Sequence, residues 1–150
     1  QALAVAWGAG WALVMTSVAF GAMHLGNPGA TALGAASTAA AGLFLGALYL
    51  RTGSLWWATG AHLGWNWGVA WLADLPLSGM EVADAPWVRA TPVGPGWVGG
   101  GAFGPEGSAL AALAFLAAAA VCWWGPWLSV EPEARARRPL GVVHREEDVP

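Results

Sequence analysis

The chain has 150 residues, of which 57% are hydrophobic and 10% charged, with a formal net charge of −3 and a mean hydropathy of +0.52. Soluble domains carry about 25% charged residues, so the composition excludes an ordinary water-soluble globule, and a negative chain without lysine excludes an electrostatic nucleic-acid binder. One cysteine, Cys122, excludes an internal disulfide and a cysteine-based zinc site, and it reads as a small apolar helix residue.

The charges are also unevenly placed. Residues 1–50 hold no Asp, Glu, Lys or Arg, and nine of the fifteen charges fall in residues 131–150. Before Val130 there are only Arg51, Asp74, Glu81, Asp84, Arg89 and Glu106. That set cannot clothe a surface in water, whereas a bilayer accepts it. The expected fold is all-α, a polytopic membrane helical bundle with about four transmembrane helices in residues 1–129, followed by a disordered tail over residues 130–150.

In chain order, Gln1–Ala6 reads as the end of a helix whose body lies upstream, so the sequence is taken as a piece of a longer protein. Trp7-Gly8-Ala9-Gly10 suggests a turn at the membrane interface. A first helix is predicted from Trp11 to Leu25, stopped by Gly26-Asn27-Pro28-Gly29. A second, rich in Ala and Gly, runs from Ala30 to Leu50 and ends at the turn Arg51-Thr52-Gly53-Ser54, with Ser54 as N-cap of the next. The third runs from Leu55 to Leu75. Leu75–Gly107 carries five prolines and three consecutive glycines, and it reads as an extramembrane or re-entrant loop. The last helix runs from Ser108 to Leu128, with Trp123, Trp124 and Trp127 as an interfacial belt. Arg135, Arg137 and Arg138 place the tail in the cytoplasm by the positive-inside rule, and Arg51 then falls on the same side.

Strongly polar residues at bilayer depth are costly and mark function. Here they are His24, His62 and Asn66, with Asp74 near a helix end. His62 and Asn66 stand at i and i+4, on one face of the third helix, and Phe20 and His24 repeat the spacing on the first. Two histidines from different helices can meet inside a bundle and hold a water or a divalent metal such as zinc, and an asparagine can donate to an oxyanion. Phe20 supplies a dry wall beside the ring. Trp65 and Trp67 flank Asn66 and offer a substrate groove, although core packing accounts for them better. Glu106 is expected to serve the start of the last helix, where a carboxylate meets the positive end of the dipole, with a catalytic role as the lesser alternative. His144 reads as a solvated tail residue. Haem held between His24 and His62 is a competing arrangement, in which Asn66 has no role.

Phe20 with His24, followed some forty residues later by His62 with Asn66, resembles the Phe-x-x-x-His and His-x-x-x-Asn motifs of the CPBP family, the CAAX-protease and bacteriocin-processing membrane proteins. The stretch Gly99–Gly107 is similar to a glycine-rich stretch before the last helix of bacterial members. The resemblance covers Gln1 to Leu128. It implies an intramembrane metalloendopeptidase of a bacterial-type plasma membrane, with His24, His62 and Asn66 catalytic, His24 and His62 as candidate metal ligands, Phe20 and Trp65 at the substrate, and a membrane-anchored protein or peptide as partner. The family's Glu-Glu-x-x-x-Arg motif, taken to activate the water, is absent from the sequence, and Glu146-Glu147 is in the wrong order to replace it. The chain as given is therefore expected to be unable to cleave. The alternative is a membrane immunity or scaffold protein that binds a peptide or membrane partner without cutting it.

Overall fold

The computed structural model describes residues 2–82, 88, 90–91 and 93–128. The tail at 130–150, with Arg135, Arg137, Arg138, His144, Glu146 and Glu147, lies outside the described residues, as do Asp84 and Arg89. Among the described residues the elements are helical and no strand occurs. They are α1 (Ala2–Trp7), α2 (Ala9–Met23), α3 (Ala32–Thr52), α4 (Leu55–Trp67), the single turn α5 (Gly96–Gly99) and α6 (Ala109–Trp124). The all-α expectation holds.

The boundaries follow local chemistry. Gly8, at φ 86°, breaks α1 from α2 at the predicted tryptophan-flanked turn. Beyond Met23 the chain tightens into a 3-10 turn over His24–Gly26. Thr31 caps α3 by accepting the Gly34 N–H at 3.0 Å, and Ser108 caps α6 by accepting the Ala111 N–H at 3.0 Å. Ser54 occupies the N-cap position of α4, yet its side chain makes no cap bond. Thr52 Oγ1 accepts the Ser54 N–H at 3.2 Å, which ties the preceding turn without capping the first turn of α4. The third predicted helix is α-helical only to Trp67. It widens into a π turn over Gly68–Leu72 and ends at Asp74, whose φ of 51° cannot continue a helix.

α3 is the central element and packs chiefly on α6 and α2. Small residues let the backbones approach. A Cβ on Gly21 of α2 would collide with the Ala35 carbonyl and the Ala39 methyl of α3. Ala40 meets Ala111 and Phe115 of α6 at one level, and Ala47 and Leu48 meet Cys122 at another. Cys122 is thus a buried packing residue, as read from the sequence.

Three hydroxyls in the bundle bond to their own helix, while the buried Ser37 hydroxyl of α3 has no partner. Ser17 donates to the Leu13 carbonyl at 2.7 Å, Thr38 to Gly34 at 2.8 Å and Thr52 to Leu48 at 2.8 Å. No water is needed for any of them, which suits hydrocarbon surroundings. Large apolar side chains point outward instead: Trp56 is 83% exposed, and Trp11, Leu63, Trp67 and Leu113 are also exposed. That inversion is the mark of a bundle solvated by lipid.

By length and composition Ala9–Gly26 and Ala32–Thr52 can cross a membrane, while α6 is a shorter apolar helix of 16 residues and α4 has 13. At about 1.5 Å per residue these two reach roughly 24 and 20 Å, short of a hydrocarbon core of about 30 Å. The ends of α3 and α6 are tied together. Arg51 Nη2 donates to the Gly125 and Leu128 carbonyls at 3.1 and 3.2 Å, so the arginine used to orient the chain also satisfies the end of α6.

Candidate functional site

The site is a cavity of about 220 Å³ enclosed by α2, α3, α4 and α6 and floored by the loop between α4 and α6. Phe20, His24, His62, Trp65 and Asn66, the five residues singled out from the sequence, all line it. They share its wall with Ser78 and Glu106.

His24 owes its placement to the end of α2. There the backbone tightens, and the His24 N–H turns to the Gly21 and Ala22 carbonyls. The Phe20 carbonyl is left to the His24 ring, whose Nδ1 lies 2.6 Å from it. A carbonyl only accepts, so Nδ1 carries the hydrogen and the Nε2 lone pair of a neutral ring is free for the cavity. The Phe20 ring stands edge-on to both imidazoles, with centroids 4.7 Å from His24 and 5.9 Å from His62. The predicted dry wall therefore packs against both histidines.

On α4 the i, i+4 spacing brings His62 and Asn66 to the same cavity face. Asn66 Oδ1 is buried without a hydrogen-bond partner. An orphaned buried acceptor costs about 1–3 kcal/mol, and such atoms in native folds point to a bound group. Trp65 joins packing and site: its ring meets Phe115 edge-on at 4.8 Å, and its indole N–H donates to Glu106 Oε1 at 2.8 Å. Trp67, the other flanking tryptophan, faces outward and does not line the cavity.

Glu106 departs from expectation. It does not serve the start of α6, where Ser108 is the cap. Its carboxylate is turned inward, 8% exposed, and accepts from Trp65 through one oxygen and from the Ser78 hydroxyl through the other. The reason is the path of the glycine-rich segment. Gly104 sits at φ 83°, and a Cβ there would strike the Pro76 carbonyl, so only glycine lets residues 101–107 lie against the turn that carries Ser78. Phe103, 1% exposed, anchors the segment against Gly34 of α3.

That second turn is itself constrained. Leu77 and Met80 exchange both backbone hydrogen bonds, at 2.9 and 3.0 Å, around Ser78 and Gly79, whose φ values are 48° and 82°. Two positive φ angles are the signature of a tight two-residue turn, and serine is an unfavourable residue for the first of them. Asn27 Nδ2 donates to the Ser78 carbonyl at 3.0 Å and Gly79 N–H to the Phe103 carbonyl at 2.9 Å, which hold the turn from both sides. Sequence reasoning missed Ser78 and gave Glu106 another role. The available signal was a carboxylate embedded in a glycine-rich, otherwise apolar stretch.

The donor set limits the metal chemistry. Among the described residues no group of three His, Cys, Asp or Glu side chains is placed to hold a metal ion. A catalytic zinc takes about three protein ligands, and His24 with His62 supply two. The described residues by themselves do not fit such a centre. What the arrangement can do is hold a water between two imidazoles, beside a side-chain amide able to both donate and accept.

Compared with known proteins, residues 1–68 match the family model described as "Rce1-like: Type II CAAX prenyl endopeptidase Rce1-like". The matched stretch contains Phe20, His24, His62, Trp65 and Asn66 and ends one residue after α4. No curated protein and no solved structure matches the chain.

Proposed function

We propose, from the match of residues 1–68 to the Rce1-like type II CAAX prenyl endopeptidase family model, that the cavity hydrolyses a peptide bond in a membrane-associated protein or peptide. The observation that carries the reading is the convergence of His24, His62 and an Asn66 amide with an unpartnered Oδ1 on one cavity.

The chemistry follows from the groups present. A peptide carbonyl entering the cavity needs an activated water, a donor for the oxyanion and a proton for the leaving amine. His24 Nε2 and His62 accept from a water and hold it for attack on the carbonyl carbon. Asn66 Nδ2 donates to the oxygen as it gains negative charge, and Asn66 Oδ1 accepts the N–H of the bound peptide, which removes its orphan status. The water loses one proton as the carbon–oxygen bond forms. The amine gains one as the carbon–nitrogen bond breaks, and an imidazole within reach carries it between the two. The resemblance assigns the water's first proton acceptor to the family's Glu-Glu-x-x-x-Arg motif, which residues 1–150 do not contain. The apolar outer face, with Trp56 and Leu63 exposed on α4, suits a substrate delivered laterally from lipid.

The finer assignments belong to the same proposal: a bacterial-type plasma membrane, and residues 130–150 with Arg135, Arg137 and Arg138 on the cytoplasmic side. Labelling of a cysteine placed in the tail, from each face of sealed vesicles, checks the orientation.

The test of function is cleavage of a quenched fluorescent peptide carrying a lipid-anchored end, by the whole protein reconstituted in vesicles. Wild-type protein is expected to cut, and His24→Ala and His62→Ala to abolish cutting. Binding of the peptide without cleavage by the whole protein would sink the peptidase and favour the immunity or scaffold role.

A further inference from the structure

The carboxylate of Glu106 sits in the wall of the cavity, and no motif read from the sequence gives it a task there. It links two parts of the molecule through both of its oxygens. One oxygen takes the indole N–H of Trp65, the residue immediately before Asn66 on α4. The other takes the hydroxyl of Ser78, whose own carbonyl takes Asn27 Nδ2 from the segment that follows His24. A continuous hydrogen-bonded line thus runs Asn27–Ser78–Glu106–Trp65. It joins the end of the His24 turn to the helix of His62 and Asn66 through buried groups.

The strap does what the helices cannot. α4 is only 13 residues long and loosens into a π turn at Gly68, just past the site. A short helix with a widened end has a poorly fixed rotation about its axis, and rotation is what aims His62 and Asn66. α4 packs through Ala58, Ala61 and the Trp65 ring, but its glycines add no close backbone approach of the kind that locks α2 on α3, because a Cβ on Gly60, Gly64 or Gly68 would meet nothing within 4 Å. The bond from Trp65 to Glu106 adds a directional constraint to that packing. The serine held at φ 48° is consistent with this, since a strained residue persists where its contacts over-determine it.

We propose that Glu106 is a positioning residue. Through Trp65 it fixes the rotation of α4, and hence the aim of His62 and Asn66 at the substrate carbonyl. It acts by geometry rather than by charge. This rests on the peptidase reading above for its kinetic consequence, though not for its structural one.

Glutamine separates geometry from charge. In Glu106→Gln the amide oxygen still accepts from Trp65, and the amide NH₂ donates to the Ser78 hydroxyl oxygen. Glu106→Ala removes both bonds. Trp65→Phe removes only the N–H and keeps a ring against Phe115. Two readouts are made on the whole protein in vesicles or nanodiscs: kcat and KM on the lipid-anchored peptide, and the ring resonance of isotopically labelled His62. The expected result is that E106A and W65F lower kcat by about 10²-fold, the cost of an ångström-scale misplacement, with KM changed far less. Both variants shift the His62 resonance. E106Q stays within about threefold of wild type in kcat and leaves the resonance in place. Should E106Q fail with E106A in kcat, charge rather than geometry is what the site uses and the inference is overturned. It is equally overturned if E106A and W65F leave the His62 resonance unmoved. Where E106A does not fold, W65F decides alone. A wild-type protein that cuts nothing removes the peptidase reading, while the resonances still decide whether Glu106 aims α4.

Discussion

Polar groups in the α2–α3–α6 bundle and in the segment between α4 and α6 are satisfied by opposite means. In the bundle Ser17, Thr38 and Thr52 turn back on the carbonyl four residues earlier in their own helix. In the segment Ser78, Glu106 and their partners reach across the chain, from Asn27 to Ser78 and from Glu106 to Trp65. The bundle is held by close approach of small residues, which lipid cannot improve on. The segment is held by side-chain hydrogen bonds and by glycines at positive φ. Hydroxyls that bond back to their own helix suit a membrane but offer nothing to a substrate. The site arises where the second kind of structure closes against the first, at α4, which belongs fully to neither.

The strongest way to break that comparison is to remove a group both regions aim at. His62→Ala and His24→Ala are expected to lower kcat by about 10²–10⁴-fold, the range for loss of a positioned proton-transfer group, measured on the lipid-anchored peptide. Thermal unfolding of both variants should stay near wild type, because neither ring is part of the buried core. Next, Asn66→Ala is expected to cost about 10²–10³-fold in kcat, as for loss of an oxyanion donor. The same substitution deletes a buried acceptor without a partner, so stability should hold or rise slightly, which differential scanning in nanodiscs would register.

The remaining substitutions sharpen the contrast between regions. Gly104→Ala meets the Pro76 carbonyl and a φ of 83°, and should destabilise by about 1–3 kcal/mol or more. Its effect should fall on the loop, where protease nicking near Pro95 would rise while hydrogen exchange in α3 stays slow. The smallest effect is expected at the caps. Thr31→Ala and Ser108→Ala should each cost about 1 kcal/mol, with Ser108→Ala felt at the cavity as well, because it loosens the segment that carries Glu106. Equal effects of the two cap variants on cleavage would contradict the division drawn here.

Much of this molecule was legible in advance. The absence of charge before Arg51 predicts lipid as solvent, and the exposed tryptophans and leucines bear that out. Gly8, the Gly26–Gly29 stop and the Arg51–Ser54 turn mark helix ends to within a few residues. The i, i+4 pairs Phe20–His24 and His62–Asn66 were readable because a helix fixes the angle between such positions whatever surrounds it. The errors have physical causes too. Ser54 stands at the cap position, but its side chain makes no cap bond, and its own N–H goes to Thr52. α4 was drawn too long because periodicity cannot show a ladder that widens by one residue at Gly68.

By itself the sequence determined what is local or compositional: the helical class, the apolar exterior, the turn positions and the two histidine-bearing faces. Each depends on spacing within one element or on the solvent that an uncharged surface requires. Only the tertiary structure decided that both faces meet across the Phe20 ring, that Asn66 keeps an unpartnered oxygen, and that Glu106 turns into the cavity and away from the start of α6. Those facts depend on contacts between residues dozens of positions apart, set by how closely Gly104 and Gly79 let one turn lie on another. No periodicity along a single chain encodes such an approach.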